Sequence, residues 1–200
     1  MARGDHVKKF AQMWRISDDF WDDWAQLEPQ FTRVESWNQF REPGCWPDCD
    51  MLPLSKLALG QRDTKFTPDE QRTLMSLWSI VRSPLIMGGD LRYLDQPTLD
   101  LLTNEEILVV NQASHDNMPH FYADGPRIWS ARAAEPDSYY LALFNTTNAV
   151  KPISFDFRAR NLTGAAQVRD LWAHQDLGVF TGSFTASLPP HGSGVYRLKV

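Results

Sequence analysis

Two acidic clusters, each beside a tryptophan, are the parts of this sequence best suited to chemistry. The first is Trp14-Arg15-Ile16-Ser17-Asp18-Asp19, and the second is Trp46-Pro47-Asp48-Cys49-Asp50-Met51. An aromatic face can stack on the C–H face of a pyranose, while carboxylates bind its hydroxyls and transfer protons. These residue types therefore indicate a pocket that binds and cleaves a sugar.

The bulk composition is that of an ordinary globular protein. The chain has 200 residues, a length sufficient for one large domain or two small ones. Of these residues, 42% are apolar and 22% are charged, as in ordinary soluble proteins. Its net charge is −5 and it has no long run of Lys or Arg, which argues against binding nucleic acid. No stretch approaches the roughly 18 apolar residues of a membrane span, so we expect no membrane partner.

The cysteines give no sign of a metal or cofactor. Cys45 and Cys49 are the only two, and no His stands near them in the sequence, so a zinc site is unsupported. We interpret them as free or partly buried thiols rather than a disulfide. The segment from Met1 to Phe10 lacks the apolar core of a signal peptide.

Short apolar runs alternate with helical patterns in the first half of the chain. The clearest helix has Thr67 as N-cap, Pro68 at its first position and Glu70 completing a capping box, and it ends at Ser83-Pro84. An earlier helix carries Phe20 to Val34 and should be interrupted or kinked at Pro29. The remaining predictions are strands at 10–14, 51–54 and 85–87, a helix at 97–102, and a second capping box from Thr103 to Glu106. Strand and helix alternating in this way indicate a mainly parallel α/β layer.

Only short strand-like pieces occur in the second half. The candidate strands are 127–132, 139–145, 153–157, 168–172, 183–188 and 194–200, divided by turn residues such as Asp124-Gly125, Pro136-Asp137 and Pro189-Pro190. They predict an antiparallel β-domain of six to eight strands. We place the boundary at about residue 113, which gives segments 1–112 and 113–200. Three strand–helix units are too few for a complete parallel sheet, so the chain is expected to be a fragment.

Five motifs in order resemble the C-terminal part of the α-galactosidases, glycoside hydrolase family 27 in the melibiase group. They are Arg15-x-x-x-Asp19, Trp46-x-Asp48-x-Asp50-Met51, the segments 70–92 and 101–112, and Asp170-Leu171-Trp172 with Leu188-Pro189-Pro190-His191-Gly192. The resemblance covers nearly the whole chain. It implies the last units of a (β/α)8 TIM barrel followed by an antiparallel β-sandwich.

The resemblance also implies a retaining glycosidase that removes terminal α-D-galactosyl residues. Asp19 matches the acid/base, which protonates the glycosidic oxygen and then deprotonates water. Arg15 matches the residue that holds a sugar hydroxyl and orients Asp19. Trp46 and Met51 are expected to bind the substrate, Met51 through apolar contact with the sugar. Asp48 and Asp50 are expected to brace the loop of this substrate-binding motif. Asp18 stands where a small residue is usual, and the alignment on Arg15 favours Asp19.

The family's nucleophile, in a Lys-x-Asp setting on the fourth barrel strand, has no match here. We therefore expect the isolated chain not to hydrolyse glycosides, and the parent enzyme to be secreted or periplasmic. The oligomeric state is left open. The alternatives are a non-catalytic carbohydrate-binding or structural fragment, or a related enzyme for α-N-acetylgalactosamine, β-L-arabinopyranose or an isomaltose unit.

Several of these residues also have purely structural interpretations. Asp18-Asp19 could be a helix N-cap, and Asp48 and Asp50 could form Asx turns. Asp22 and Asp23 are expected on a solvated helix face. Asp90 could cap a strand or line the pocket. The four histidines of the later sequence (His115, His120, His174 and His191) are interpreted as ordinary loop residues.

Overall fold

A computed structural model of the chain describes residues 4–120 and 126–200. The turn predicted at Asp124-Gly125 lies outside these residues. The first half contains α1 (Asp5–Phe10), β1 (Met13–Arg15), α2 (Trp24–Trp37), β2 (Trp46–Asp48), β3 (Lys56–Leu57), β4 (Arg62–Asp63), α3 (Pro68–Ile80), α4 (Gln96–Thr103) and α5 (Glu105–Ala113).

Helix α3 confirms the capping box. Thr67 Oγ1 accepts from the backbone N–H of Glu70, while a Glu70 carboxylate oxygen accepts from the N–H of Thr67 at 2.8 Å. Leu74, Leu77 and Trp78 are fully buried. Because Thr67 and Glu70 are only three residues apart, the sequence pattern alone predicted where the helix begins.

Three predictions for the first half were wrong in detail. Phe10 ends helix α1 and does not begin a strand. Pro29 does not interrupt α2, which is assigned without a break from Trp24 to Trp37. The N-cap of α5 is Asn104, whose Oδ1 accepts from Ile107 N at 3.1 Å, so Thr103 does not start a capping box.

Strands β1 and β2 of the first half are parallel, whereas β3 and β4 form a small antiparallel pair. Strand β1 pairs with β2 so that Met13 faces Trp46 and Arg15 faces Asp48. Further along, Leu52 forms a parallel bridge with Met87. Three adjacent parallel segments with helices between them confirm the expected fragment of a (β/α)8 barrel.

The second half is an antiparallel β-sandwich, as predicted. Its strands are β5 (His115–His120), β6 (Arg127–Arg132), β7 (Ser138–Phe144), β8 (Lys151–Asp156), β9 (Ala165–Asp170), β10 (Gln175–Thr181), β11 (Ser183–Leu188) and β12 (Ser193–Lys199). Six of them form one sheet in the order β10-β9-β12-β7-β6-β5, and β11 pairs with β8. Strands β5 and β10 were not predicted from the sequence, because their residues are largely polar or exposed.

The six-stranded sheet has a buried face on each side. Alternate residues of β7 divide between two hydrophobic clusters: Ala142 and Phe144 pack with the helices, and Leu141 and Leu143 pack toward β8 and β11. Helix α3 contacts β6, β7 and β12, so the sandwich supports the helical layer directly. We propose the division between the two parts after Ala113, where α5 ends. Within residues 4–120 and 126–200, no helix is both long and apolar enough to cross a bilayer.

Candidate active site

The parallel pairing of β1 and β2 brings the two acidic clusters to one edge of the sheet. Arg15 and Asp48 are register partners at the carboxyl ends of these strands, and the N–H of Ile16 donates to Asp48 O at 3.0 Å. The loops that follow carry Asp19 and Asp50. In barrel enzymes, catalytic groups lie at the carboxyl ends of the strands, so this edge is the candidate site.

Arg15 connects the two loops. Its Nη2 lies 2.8 Å from Asp50 Oδ2 and 3.6 Å from Asp19 Oδ1. The two carboxylates differ greatly in accessibility, since the side chain of Asp19 is 88% exposed and that of Asp50 only 15%. The Arg15 guanidinium is thus fixed by the largely buried carboxylate of Asp50 and lies beside the exposed carboxylate of Asp19.

Asp50 is a structural organiser of the site. Besides Arg15, its Oδ2 accepts from the backbone N–H of Phe20 at 2.7 Å, and its carbonyl oxygen accepts from Trp78 Nε1 at 2.8 Å. Its backbone has φ of +81°, a conformation that non-glycine residues rarely adopt. One residue therefore fixes the β2 loop to the β1 loop and to helix α3.

Asp48 forms the Asx turn that the sequence suggested. Its Oδ1 accepts from the backbone N–H of Asp50 at 2.9 Å, and the residue is 4% exposed. Burial raises the pKa of this carboxyl above its ordinary value, and the hydrogen bond from Asp50 opposes that effect. Asp48 thus shapes the loop from within.

The loop that carries Asp19 is anchored by Asp22, which corrects the expectation of a solvated helix face. Asp22 is 2% exposed, its Oδ1 accepts from Arg62 Nη2 at 2.8 Å, and its Oδ2 accepts from Lys65 N at 2.7 Å. Burial alone would raise the pKa of Asp22, but the bonds from Arg62 and Lys65 outweigh it and hold that pKa below its ordinary value. Local spacing carried no signal for this anchor, because Arg62 lies forty residues away.

Helix α2 braces the same loop. Asp23, also expected on a solvated face, is its N-cap and accepts from Ala25 N at 2.9 Å. This assigns the cap to Asp23 and not to Asp18-Asp19. Gln26 accepts from Trp21 N at 2.8 Å, and the buried Gln30 donates to Ser17 Oγ at 3.2 Å. A cleft of about 190 Å³ lined by both Asp18 and Asp19 lies between the loop and this helix.

Met51 packs over Gly88, the residue after the third parallel segment. A Cβ built on Gly88 would lie 2.8 Å from Met51 Cγ, so a larger residue there would force the Met51 side chain to move. Leu52 N donates to Ile86 O at 2.7 Å and Gly88 N donates to Leu52 O at 2.9 Å, which fixes the backbone on both sides. Met51 is therefore held at the same strand ends as Asp50.

Trp46 is not brought together with these residues. It lies at the amino end of β2, opposite Met13, and the Arg82 guanidinium carbon is 4.6 Å from its ring centroid. Arg82 in turn donates to the carbonyls of Asn111 and Ser114, where α5 ends. This position does not support the sugar contact expected for Trp46.

The structure also bears on the sequence interpretations of the two cysteines and of Asp90. Cys45 and Cys49 are free thiols, as expected, and burial raises the pKa of Cys49 to about 12. Asp90 caps a short 3-10 helix by accepting from Arg92 N at 3.1 Å, and the Arg92 guanidinium holds the pKa of that carboxyl below its ordinary value. In the described ranges, 4–120 and 126–200, no group of three potential metal ligands occurs.

Two family models together match most of the chain. The model described as α-galactosidase A matches residues 3–113, and the model described as the α-galactosidase C-terminal β-sandwich domain matches residues 123–198. Curated relatives include α-galactosidase 3 of Arabidopsis thaliana, 31% identical over 96% of this chain, and an α-galactosidase of Oryza sativa, 27% identical over 95%. The chain spans 44% of the length of each of these relatives.

Solved structures of the same group superpose on all or nearly all of the chain. A glycoside hydrolase family 27 β-L-arabinopyranosidase from Geobacillus stearothermophilus has a TM-score of 0.95 and 38% identity, covering 100% of this chain and 48% of its own. α-Galactosidase I from Mortierella vinacea shares the fold, with a TM-score of 0.85, 21% identity, and coverage of 97% of this chain and 54% of its own. The chain therefore belongs to the α-galactosidase (melibiase) family, glycoside hydrolase family 27.

Proposed function

We propose that this chain supplies the acid/base side of a retaining glycosidase site that removes terminal α-D-galactosyl residues. The observation that carries this proposal is the pair formed by Arg15 and Asp19 at the carboxyl end of β1. Asp19 Oδ1 lies 3.6 Å from Arg15 Nη2, and its side chain is 88% exposed. A carboxyl group that faces open space beside a fixed cation can reach both a leaving oxygen and a water molecule.

The neighbouring carboxylates are less suited to proton transfer. Oδ2 of Asp50 already accepts from Arg15 and Phe20, and Oδ1 of the buried Asp48 accepts from the Asp50 N–H. Asp18 and Asp19 are both exposed, but the ion pair with Arg15 is formed by Asp19. The geometry therefore supports Asp19 in preference to Asp18, Asp48 and Asp50.

In the proposed reaction, Asp19 acts twice. It first gives its proton to the glycosidic oxygen while the bond from that oxygen to the anomeric carbon breaks and a carboxylate nucleophile bonds to the same carbon. It then removes a proton from the water that displaces the nucleophile, which returns Asp19 to its acid form. Retaining enzymes need the second carboxylate about 5–5.5 Å away. We expect this second carboxylate to come from the barrel strands that the matched relatives have in addition to the residues matched by this chain.

The remaining residues would support Asp19. Arg15 would donate to a sugar hydroxyl while orienting Asp19, because its planar fork can serve two partners. Asp48 and Asp50 would hold the loop, and Met51 would give apolar contact to the ring. No step in this scheme needs a metal or an organic cofactor.

The identity of the sugar has a second candidate. The curated relatives named above are α-galactosidases, whereas the solved structure with 38% identity is a β-L-arabinopyranosidase. The two sugars share their ring configuration and differ by the hydroxymethyl group that galactose carries. The residues that line that group are expected outside the region described here, so a β-L-arabinopyranoside is the alternative substrate.

Chimeric barrels test the proposal. The residues that precede the matched region in the Mortierella α-galactosidase I, or in the Geobacillus arabinopyranosidase, are joined in front of Gly4. We expect the 200-residue chain alone not to release p-nitrophenol from p-nitrophenyl α-D-galactopyranoside or β-L-arabinopyranoside, and at least one chimera to do so. Asp19→Ala should lower the kcat of that chimera by at least about 10²-fold.

Two further measurements separate acid/base catalysis from a folding defect. The loss in Asp19→Ala should be larger for melibiose than for the p-nitrophenyl glycoside, because the better leaving group needs less protonation. Azide, a nucleophile that needs no general base, should restore turnover and give a glycosyl azide. The matched control is Asp18→Ala. Full activity in Asp19→Ala, or a loss confined to Asp18→Ala, would contradict the assignment.

A further inference from the structure

A second, larger cleft lies where α3, α4 and the loop between β9 and β10 meet. Its volume is about 700 Å³, within the roughly 300–1,000 Å³ of small-molecule sites. None of its lining residues belongs to the Arg15–Asp19 pair or to the cleft beside it. The side chains that could recognise a ligand there are Gln71, Arg72, Asp95, Asp100, Trp172 and His174.

Trp172 gives this cleft a rigid aromatic wall. Its indole Nε1 donates to Ser76 Oγ at 2.9 Å, and its backbone N–H donates to Asp170 Oδ1 at 2.9 Å. One edge of the ring is thus fixed to helix α3, while the ring itself remains partly exposed in the cleft. A planar apolar surface that is held in place needs no further ordering when a ligand stacks on it.

Polar groups surround this ring. The Arg72 guanidinium carbon is 5.8 Å from the Trp172 centroid, close to the outer limit of about 6 Å for a cation–π contact. The exposed guanidinium can therefore turn toward a ligand at little cost. Asp95 accepts from Thr98 N and Asp100 from Gln96 Nε2, in both cases through Oδ1. Among the described residues, this leaves Oδ2 of each carboxylate available to accept a hydrogen bond from a sugar hydroxyl.

We propose that this cleft is an accessory binding site for a pyranose, either a free sugar or the end of an oligosaccharide. The Trp172 ring would stack on the C–H face of the sugar, Gln71 and Arg72 would donate to hydroxyl oxygens, and Asp95 and Asp100 would accept from hydroxyl hydrogens. Two carboxylates beside one arginine disfavour a phosphate or another anion. Sugar binding in this cleft does not depend on catalysis by Asp19.

The test is an NMR titration of the ¹⁵N-labelled 200-residue chain with methyl α-D-galactopyranoside and with methyl α-D-glucopyranoside. The indole N–H signal of Trp172 is assigned by its absence in Trp172→Phe. We expect at least one of the sugars to shift this signal in a saturable way. The double variant Arg72→Ala/Asp100→Ala should weaken binding at least tenfold, and the exposed neighbour Glu105→Gln should leave it unchanged.

The same titration on a chimera from the preceding section covers the case in which the 200-residue chain does not fold alone. No saturable shift of the Trp172 signal with either sugar, or an unchanged affinity in the double variant, would overturn the proposal. In the chimera, Asp19→Ala should bind the sugar at this site as the unmutated chimera does, and the double variant should cleave glycosides as the unmutated chimera does. The catalytic proposal for Asp19 and the sugar-binding proposal for this cleft can therefore fail independently of each other.

Discussion

The Asp50 carboxylate accepts the backbone N–H of Phe20 at 2.7 Å, although thirty residues separate them in the chain. This bond joins the loop after β2 to the loop that carries Asp19. The same oxygen lies 2.8 Å from Arg15. The position of the candidate acid/base thus depends on a residue that is not itself exposed to substrate.

Replacing Asp50 should therefore affect both stability and activity. Asp50→Ala leaves the Phe20 N–H without its acceptor and Arg15 without its partner, so we expect a loss of about 2–3 kcal/mol in the free energy of unfolding. Asp50→Asn keeps an oxygen acceptor and should lose less. Urea denaturation measures both variants, with Asp18→Asn as an exposed control. Equal stability of Asp50→Ala and wild type would show that the two loops are held by other contacts.

The ion pair between the buried Asp22 and the half-buried Arg62 should respond differently to loss of each partner. Arg62→Met leaves an unpaired carboxylate that is 2% exposed, and such a change costs about 3–5 kcal/mol. Asp22→Asn leaves an arginine whose side chain is 37% exposed and can be rehydrated, so it should cost about 1–3 kcal/mol. Urea denaturation of the two variants gives the ranking, and the reverse order would contradict this account.

The difference between local and distant interactions explains which predictions succeeded. Thr67 and Glu70 are three residues apart, and their capping box was recognisable from the sequence because all of its hydrogen bonds are local. The partner of Asp22 lies forty residues away, and nothing near Asp22 indicated that it would be buried. Strand β10 was missed because it is an exposed edge strand, without the alternation of apolar residues that marks a strand with one buried face.

Strand direction also decides which residues of the site lie together. The family resemblance implied that Arg15 orients Asp19, and the structure contains an ion pair between these two residues. Trp46 shared its motif with Asp48 and Asp50, yet the strand separates them: Trp46 begins β2, Asp48 ends it, and Asp50 lies in the loop that follows. A short motif shows which residues are neighbours in sequence, but the direction of the strand decides which end of the barrel each one occupies.

Glu106 should make stability depend on pH in the acid range. It accepts from Arg169 Nε and Nη2 at 2.8 and 2.7 Å, and its contact with Arg169 is the main cause that lowers its pKa to about 2. Because this pKa is below the ordinary value of about 4.5, the bond contributes fully above pH 4.5 and is lost as pH falls through 2. We expect Glu106→Gln to unfold about 2 kcal/mol more easily at pH 6 and to approach wild type near pH 2.

Urea denaturation at a series of pH values checks this prediction for Glu106. The exposed neighbour Glu105, also in the first turn of α5, provides the control variant Glu105→Gln. A constant difference between Glu106→Gln and wild type from pH 6 to pH 2 would show that the charge of Glu106 does not cause the effect.

His191, interpreted from the sequence as an ordinary loop residue, connects the helical layer to the β-sandwich. Its ring stacks on Trp24 with centroids 3.8 Å apart and planes 4° apart, and its Nδ1 donates to Glu70 at 2.7 Å. Its carbonyl accepts from Thr73 Oγ1 at 2.6 Å. The backbone φ is +55°, in the left-handed region that favours glycine.

Two variants of His191 separate the side-chain contacts from the backbone conformation. His191→Ala and His191→Gly both lose the stack and the Glu70 bond, so each should reduce the free energy of unfolding by about 2 kcal/mol. Glycine adopts positive φ without the steric cost that alanine has there, so His191→Gly should be the more stable of the two by about 1 kcal/mol. Urea denaturation measures both. If both variants matched wild type, the contact between the two layers would depend on the hydrogen bond from Thr73 Oγ1 to the backbone carbonyl of residue 191 and on the packing of α3, and not on the ring of His191.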